Sequence, residues 1–168
     1  AWVQNPLPIL FKQKLAAYLA RFCPSPYCLV VHSCALHALG LKGDEILALL
    51  QRCAPREAAH LEGPLKVLAS HPGPLKSWPA PEVEEAILQC AAAVYLDLPH
   101  ISNYRTELHR SLGPALYPNL LALLAYVRTR HYWVEAHPGI APAADRLVHE
   151  HLGGMTQEAP MLGQFLNE

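Results

Sequence analysis

Residues 25–40 read SPYCLVVHSCALHALG, and this stretch combines a full set of helix signals with closely spaced Cys and His residues. Ser25 followed by Pro26 is typical of an N-cap and a first helical residue, and Gly40 is typical of the position just after a helix. The pattern therefore predicts a helix from Pro26 to about Leu39.

Cys28 falls in the first turn of this predicted helix, and His32 follows one turn later on the same face. The unpaired amides of a first turn and the helix dipole stabilise a thiolate, so the pattern predicts a lowered pKa for Cys28. A histidine at i+4, about 6 Å away, can accept the thiol proton. Cys23 precedes Cys28 across a proline-containing turn and is a candidate resolving thiol if the two Cα atoms lie within about 7 Å.

Two other interpretations of these residues remain open. A Cys and a His on one face of an apolar helix are usually core residues, because free Cys is among the most buried residue types. A zinc site is the other alternative, but Cys28 and His32 supply only two ligands, and no second pair at ligand spacing accompanies them. We therefore expect neither a bound metal nor a cofactor.

The rest of the chain reads as helices separated by prolines. Apolar spacing and capping residues predict further helices over residues 11–22, 43–50, 81–96, 102–112, 118–133 and 143–152, with a tail from Gly153. Residues 56–81 are predicted to form a long connector with one short helix over 65–69. No segment alternates with a period of two, so the expected fold is all-α, as a single domain over residues 1–168.

Composition narrows the function classes. Net charge is -1, with 13 basic and 14 acidic residues and no basic stripe, which argues against nucleic acid and anionic membranes as partners. The sequence contains no run of about 18 apolar residues, so it predicts no membrane-spanning helix. Five scattered cysteines indicate a reducing, cytoplasmic compartment. The 52% hydrophobic content and the almost wholly apolar segment 120–126 predict a homo-oligomer.

A second polar-aromatic cluster lies near the end of the predicted helix 118–133 and consists of His131, Tyr132, Trp133 and His137. The structural interpretation is an amphipathic helix end, in which His interacts with the dipole and the aromatic rings keep a polar tip exposed. The functional alternative is a pocket wall that faces the helix of Cys28.

The stretch Tyr27-Cys28-Leu-Val-Val-His32, with Gly40 eight residues after the His, resembles the signature helix of the AhpD-like alkylhydroperoxidase and carboxymuconolactone decarboxylase superfamily. The usual pattern there is Cys-x-x-Cys-x-x-x-His, then Gly at that offset. Residues 5–28 and 121–138 are, more narrowly, similar to the AhpD-like domain at the N-terminus of some bacterial PAS-containing sensor histidine kinases. The resemblance implies an AhpD-like helical bundle that is oligomeric, excised from or related to a longer chain.

The resemblance assigns roles position by position. Cys28 corresponds to the peroxidatic cysteine and His32 to the proton-relay histidine, and Tyr27 lies where some members place a second relay histidine. Ser25 replaces the first cysteine of the family's pair, and Gln13 replaces the relay glutamate.

Two of the four catalytic positions are therefore changed, and Cys23 is the only nearby substitute for the missing cysteine. The resemblance then implies a weak peroxidase, or a peroxide or redox sensor, that takes a hydroperoxide and a thiol reductant. One alternative is a degenerate sensory or dimerisation domain without enzyme activity. The other is an enzyme similar to the lactone decarboxylases, which uses acid–base residues rather than thiols.

Overall fold

The computed structural model describes residues 4–55, 58–99 and 101–167, and every regular element within these ranges is helical. The elements, in chain order, are α1 (Ile9–Ala20), α2 (Pro26–Ala38), α3 (Gly43–Leu50), α4 (Ala58–Ser70), α5 (Pro81–Tyr95), α6 (Ile101–Ala136), a 3-10 turn (Pro142–Ala144), α7 (Arg146–Glu158) and α8 (Pro160–Asn167). The predicted all-α class is confirmed. None of the described helices is both long enough and apolar enough to cross a membrane.

The two ends of α2 follow the capping pattern. Ser25 has an extended backbone, and its Oγ accepts a hydrogen bond from the backbone N–H of Tyr27 at 3.4 Å. Pro26 is the first helical residue, where its missing N–H has no intrahelical partner to lose. Gly40 has φ 96°, a left-handed conformation that glycine adopts without strain. Cys28 is therefore in the first turn, as predicted.

The predicted connector over residues 56–81 contains a helix, α4, at the place of the predicted short helix 65–69, but α4 occupies Ala58–Ser70 and contains Pro64, so the prediction is wrong over 58–64. Residues 56 and 57 lie outside the described residues. Leu61 and Leu68 lie seven residues apart on one face of α4, and both are fully buried. Burial of each leucine contributes about 1.5–3 kcal/mol, and a proline inside a helix costs about 3 kcal/mol. The burial of the two leucines by tertiary packing therefore outweighs the cost of the proline inside the helix.

The gap between the predicted helices 102–112 and 118–133 is reduced to a break at Gly113. Gly113 interrupts α6 with φ 69° and ψ 179°, and the helix resumes at Pro114 rather than at the predicted Pro118. A Cβ atom on Gly113 would lie 2.9 Å from Cβ of Pro74, so both the backbone conformation and the close approach require glycine.

The tail predicted from Gly153 is also wrong, because α7 continues through both glycines to Glu158 and α8 follows it. Asp145 caps α7 by accepting a hydrogen bond from the backbone N–H of Leu147 at 2.9 Å. Gly154 lies against His37, where a Cβ atom would be 3.4 Å from the imidazole ring. This glycine marks close packing between helices rather than a helix end.

One compact unit consists of the described residues up to Pro8 together with Cys53–Tyr126. Within it α4 packs against α5. Arg110 of α6 donates hydrogen bonds to the backbone carbonyls of His71, at 2.7 Å, and of Leu68, and so joins α6 to the end of α4.

A second compact unit consists of Ile9–Arg52 and the described residues from Val127 onward. Helix α2 lies at its centre and packs against α1, α3, α7 and α8. Every residue of the candidate site described below belongs to this unit. The prediction of one domain for the whole chain stays a prediction.

The apolar segment 120–126 has one buried face. Leu120, Leu123 and Leu124 are buried, whereas Ala122 and Ala125 are exposed. Because the exposed residues named here are alanines, they leave little apolar side-chain surface uncovered. The homo-oligomer expected from this segment stays a prediction.

Candidate functional site

Three side chains that are distant in sequence meet at the N-terminal end of α2. The Sγ atoms of Cys23 and Cys28 and a ring nitrogen of His131 all lie within 4.8 Å of one another. Cys23 lies in the connection between α1 and α2, Cys28 lies in the first turn of α2, and His131 lies in the last part of α6. The structure therefore brings together the two cysteines that the sequence paired and adds a histidine to them.

The two cysteines differ in their access to solvent. Cys28 is 0% exposed and packs in a small apolar cluster with Ala20 and Val134. Cys23 is partly exposed and borders a cavity of about 590 Å³. The rest of the cavity lining is mainly apolar and includes Leu29, Val30, Val148 and Phe165. A ligand in this cavity would reach Cys23 before Cys28.

Two neighbours act on the pKa of Cys23 through hydrogen bonding: the backbone N–H of Ser25 and the side chain of Cys28. Burial raises the pKa of Cys23, and both of these neighbours lower it. Burial also raises the pKa of Cys28, together with the charge and the hydrogen bonding of Cys23, to about 11. The lowered pKa predicted for Cys28 is therefore wrong, because removal of the thiolate from water outweighs the effect of the helix terminus.

His32, the predicted base, has another partner. Its Nδ1 lies 2.9 Å from Oε1 of Gln13. Because an amide oxygen only accepts hydrogen bonds, Nδ1 carries the proton and Nε2 is the basic nitrogen. Burial, followed by the charges of Arg130 and His131, lowers the pKa of His32 to about 3. An imidazole with this pKa is a poor acceptor for a thiol proton.

His131 is separated from the rest of its sequence cluster by burial. Its side chain is 5% exposed, whereas Tyr132 and Trp133 are 65% and 60% exposed. His137 stacks on Trp133 with the ring centroids 4.0 Å apart. Burial, and then the charge of Arg130, lower the pKa of His131 to about 4, so the ring is neutral at neutral pH. The interpretation as an amphipathic helix end suits Tyr132, Trp133 and His137. The alternative, a wall that faces the helix of Cys28, suits His131.

Tyr27 connects the site to the start of α7. Its hydroxyl donates to Oδ2 of Asp145 at 3.2 Å, while Oδ1 of Asp145 accepts the capping hydrogen bond from Leu147. Burial and the nearby Asp145 carboxylate raise the pKa of Tyr27. The position of Asp145 just before a helix is a signal for its capping role, but no local signal links it to Tyr27.

Arg130 is the other residue that the sequence argument did not assign to the site. Its charge lowers the pKa of Cys28, His32 and His131. In the sequence it is one of several basic residues near the end of the predicted helix 118–133.

Comparisons of the chain with protein-family models, with curated proteins and with solved structures found no significant match. The resemblance to the AhpD-like superfamily stays a prediction.

Proposed function

We propose that the chain is a thiol-based redox domain in which Cys23 and Cys28 alternate between a dithiol and a disulfide. The observation that carries the proposal is the pair itself: two free thiols whose sulfurs lie within 4.8 Å of each other. A disulfide of about 2.05 Å needs the sulfurs to approach by less than about 3 Å. Cys23 lies outside the helices, so its side chain and backbone can adjust without unwinding α2.

Access and hydrogen bonding favour Cys23 as the first thiol to react, which reverses the order expected from the sequence. The Cys23 thiolate attacks one oxygen of a hydroperoxide, the O–O bond breaks, and a proton converts the leaving group to an alcohol. Cys23 is then a sulfenic acid. The thiol of Cys28 attacks this sulfur, the S–S bond forms, and water leaves. Two equivalents of a thiol reductant restore the pair by exchange.

The site is suited to slow turnover. A thiol whose pKa lies above the usual 9.0 is less than about 1% ionised at pH 7. Gln13, beside His32, cannot shuttle a proton as a glutamate would. Both facts, with the resemblance to the AhpD-like superfamily, support a weak peroxidase or a redox sensor over an efficient enzyme.

The cavity beside Cys23 favours one class of oxidant. Its lining carries more apolar than polar surface, with leucine, valine and phenylalanine side chains among the residues present. A hydroperoxide with an apolar group would gain about 25 cal/mol for each Å² that it buries there, whereas hydrogen peroxide would gain none. We therefore propose organic hydroperoxides as the preferred oxidants.

Peptide mapping after oxidation tests the proposal. The reduced chain is treated with cumene hydroperoxide or hydrogen peroxide, the remaining thiols are alkylated, and the protein is digested with chymotrypsin. Cleavage after Tyr27 separates Cys23 from Cys28, so a linked pair of peptides reports the disulfide. We expect a Cys23–Cys28 disulfide, formed faster with cumene hydroperoxide.

Single substitutions establish the order of events. In Cys28→Ser, oxidation should stop at a sulfenic acid on Cys23, which dimedone traps, and in Cys23→Ser Cys28 should stay reduced. Cys34→Ser is the matched control, because Cys34 lies on the same helix, is buried and has a pKa raised to about 11. It should leave the disulfide unchanged. Absence of a Cys23–Cys28 disulfide with either oxidant would reject the proposed function, and rapid oxidation of Cys28 in Cys23→Ser would restore Cys28 as the first thiol.

A further inference from the structure

The two sulfurs and the imidazole at the start of α2 form a set of metal ligands. Cys23 and Cys28 each offer Sγ, and His131 offers a ring nitrogen, with all three atoms within 4.8 Å of one another. We propose that the reduced site binds a zinc ion through Cys23, Cys28 and His131. Cys28 lies in the first turn of α2, Cys23 lies in the connection before it, and the third ligand, His131, comes from α6.

The distances suit a tetrahedral zinc ion. Zinc–sulfur bonds of about 2.3 Å and zinc–nitrogen bonds of about 2.0–2.1 Å place two sulfurs about 3.8 Å apart and a sulfur and a nitrogen about 3.6 Å apart. The three ligand atoms, which lie within 4.8 Å of one another, need to close by only about 1 Å. Cys23 lies in the irregular connection between α1 and α2, where its backbone N–H donates to the carbonyl of Ala20 at 3.1 Å, so rotation of its side chain can close the gap while that hydrogen bond is kept.

The electrostatics of the site also suit zinc. Two thiolates and one zinc ion sum to zero charge, so the complex is much less costly to bury than a single thiolate. The imidazole of His131 is 5% exposed, and a metal at this site would bind a neutral ring nitrogen.

A zinc ion held by these three residues would have one coordination position without a protein ligand. Structural zinc sites have four protein ligands, whereas sites with three leave one position for water or another small ligand. Cys23 borders the cavity of about 590 Å³, from which water or another small ligand would reach the fourth position. Zinc binding and the disulfide are mutually exclusive states of the same two sulfurs, but zinc binding itself does not depend on the redox proposal.

Titration of the reduced chain with Zn²⁺ by calorimetry, and with Co²⁺ by absorption spectroscopy, tests the inference. We expect one tight zinc site per chain, and a cobalt spectrum with thiolate-to-metal charge transfer and the intense d–d bands of a tetrahedral complex. Loss of an outer contact typically weakens metal binding about 10- to 100-fold, so loss of a ligand in Cys28→Ser or His131→Gln should weaken it at least about 100-fold.

The chain has 10 histidines, so a control for zinc bound at the surface is needed. His137→Gln supplies it, because His137 is exposed and follows the same helix, and its affinity for zinc should match that of the wild type. Equal zinc affinity in the wild type, Cys28→Ser and His131→Gln would overturn the inference and show adventitious binding only. If His131→Gln does not fold, as judged by circular dichroism, the wild-type cobalt spectrum decides: a spectrum without thiolate charge transfer overturns the inference.

The two proposals fail separately. A Cys23–Cys28 disulfide in a chain that binds no zinc would leave the redox function standing and remove the metal site. Tight zinc binding in a chain that forms no disulfide would do the reverse.

Discussion

Cys28 of α2 and Cys90 of α5 have the same burial and different surroundings. Both are 0% exposed, and burial raises the pKa of Cys28 to about 11 and that of Cys90 to about 12. Cys28, however, lies beside Cys23 and His131, whereas the charged group that acts on Cys90 is Glu107, which contributes to its raised pKa. Burial by itself makes a thiol inert, and the chemistry depends on what other segments place next to it.

The first prediction concerns thiol reactivity, where this difference should be largest. Under native conditions we expect iodoacetamide to modify Cys23 on the order of 100-fold faster than Cys90, since Cys90 must wait for a local opening that costs about 3 kcal/mol. Cys53, which is exposed, serves as the internal reference, and Cys28 should react as slowly as Cys90. Peptide mapping after timed pulses of reagent gives the four rates in one experiment.

Denaturant provides the control, because in urea all of these cysteines should react at similar rates. Equal native rates for Cys23 and Cys90 would contradict the comparison and remove the argument that Cys23 reacts first.

Helix α2 was predictable because its signals are local. Ser25, Pro26 and Gly40 act on the backbone within one turn of themselves, so their effect does not depend on the rest of the fold. Helix α4 was mispredicted for the opposite reason. Pro64 is a local signal against a helix, and the burial of Leu61 and Leu68 that overrides it depends on tertiary packing.

The candidate site also combines a part that depends on local sequence and a part that depends on tertiary packing. Cys23 and Cys28 are close in sequence, so their pairing could be proposed from the sequence alone. The place of His131 beside them depends on how α6 packs against α2, and helical periodicity does not specify which helices pair. The sign of the pKa shift at Cys28 was wrong for a related reason, since position in the helix is a local property and burial is not.

The second prediction concerns how the free energy of unfolding changes with pH when a histidine of one unit or of the other is replaced. Burial lowers the pKa of His32 from the usual 6.5 to about 3, so between these values the unfolded chain binds a proton that the folded chain does not. The contribution of His32 to stability is therefore fully present above pH 6.5 and is lost as the pH falls. We expect this histidine alone to reduce the free energy of unfolding by about 2 kcal/mol between pH 6.5 and 5.

Urea denaturation at several pH values measures this dependence. His32→Gln should lower stability at neutral pH, because the hydrogen bond to Gln13 changes, but it should flatten the pH dependence by about the amount given above. His109→Gln, at an exposed position of α6 in the other unit, is the matched control and should leave the slope unchanged. An unchanged slope in His32→Gln would show that His32 titrates normally.

The last and smallest predicted effect compares the starts of α2 and α5. Both helices have proline as their first residue, but Ser25 caps α2 with its side chain, whereas Ala80 offers α5 no side-chain cap. Because the Ser25 hydrogen bond is long, at 3.4 Å, we expect Ser25→Ala to destabilise the chain by only about 0.5–1 kcal/mol, and Ala80→Ser to stabilise it by no more than that. Urea denaturation at neutral pH measures both changes. The contact to Sγ of Cys23 comes from the backbone N–H of residue 25, which alanine retains, so disulfide formation in Ser25→Ala should stay within about twofold of the wild-type rate. A much slower disulfide at unchanged stability would mean that the Ser25 hydroxyl, rather than the backbone, supports the thiol pair.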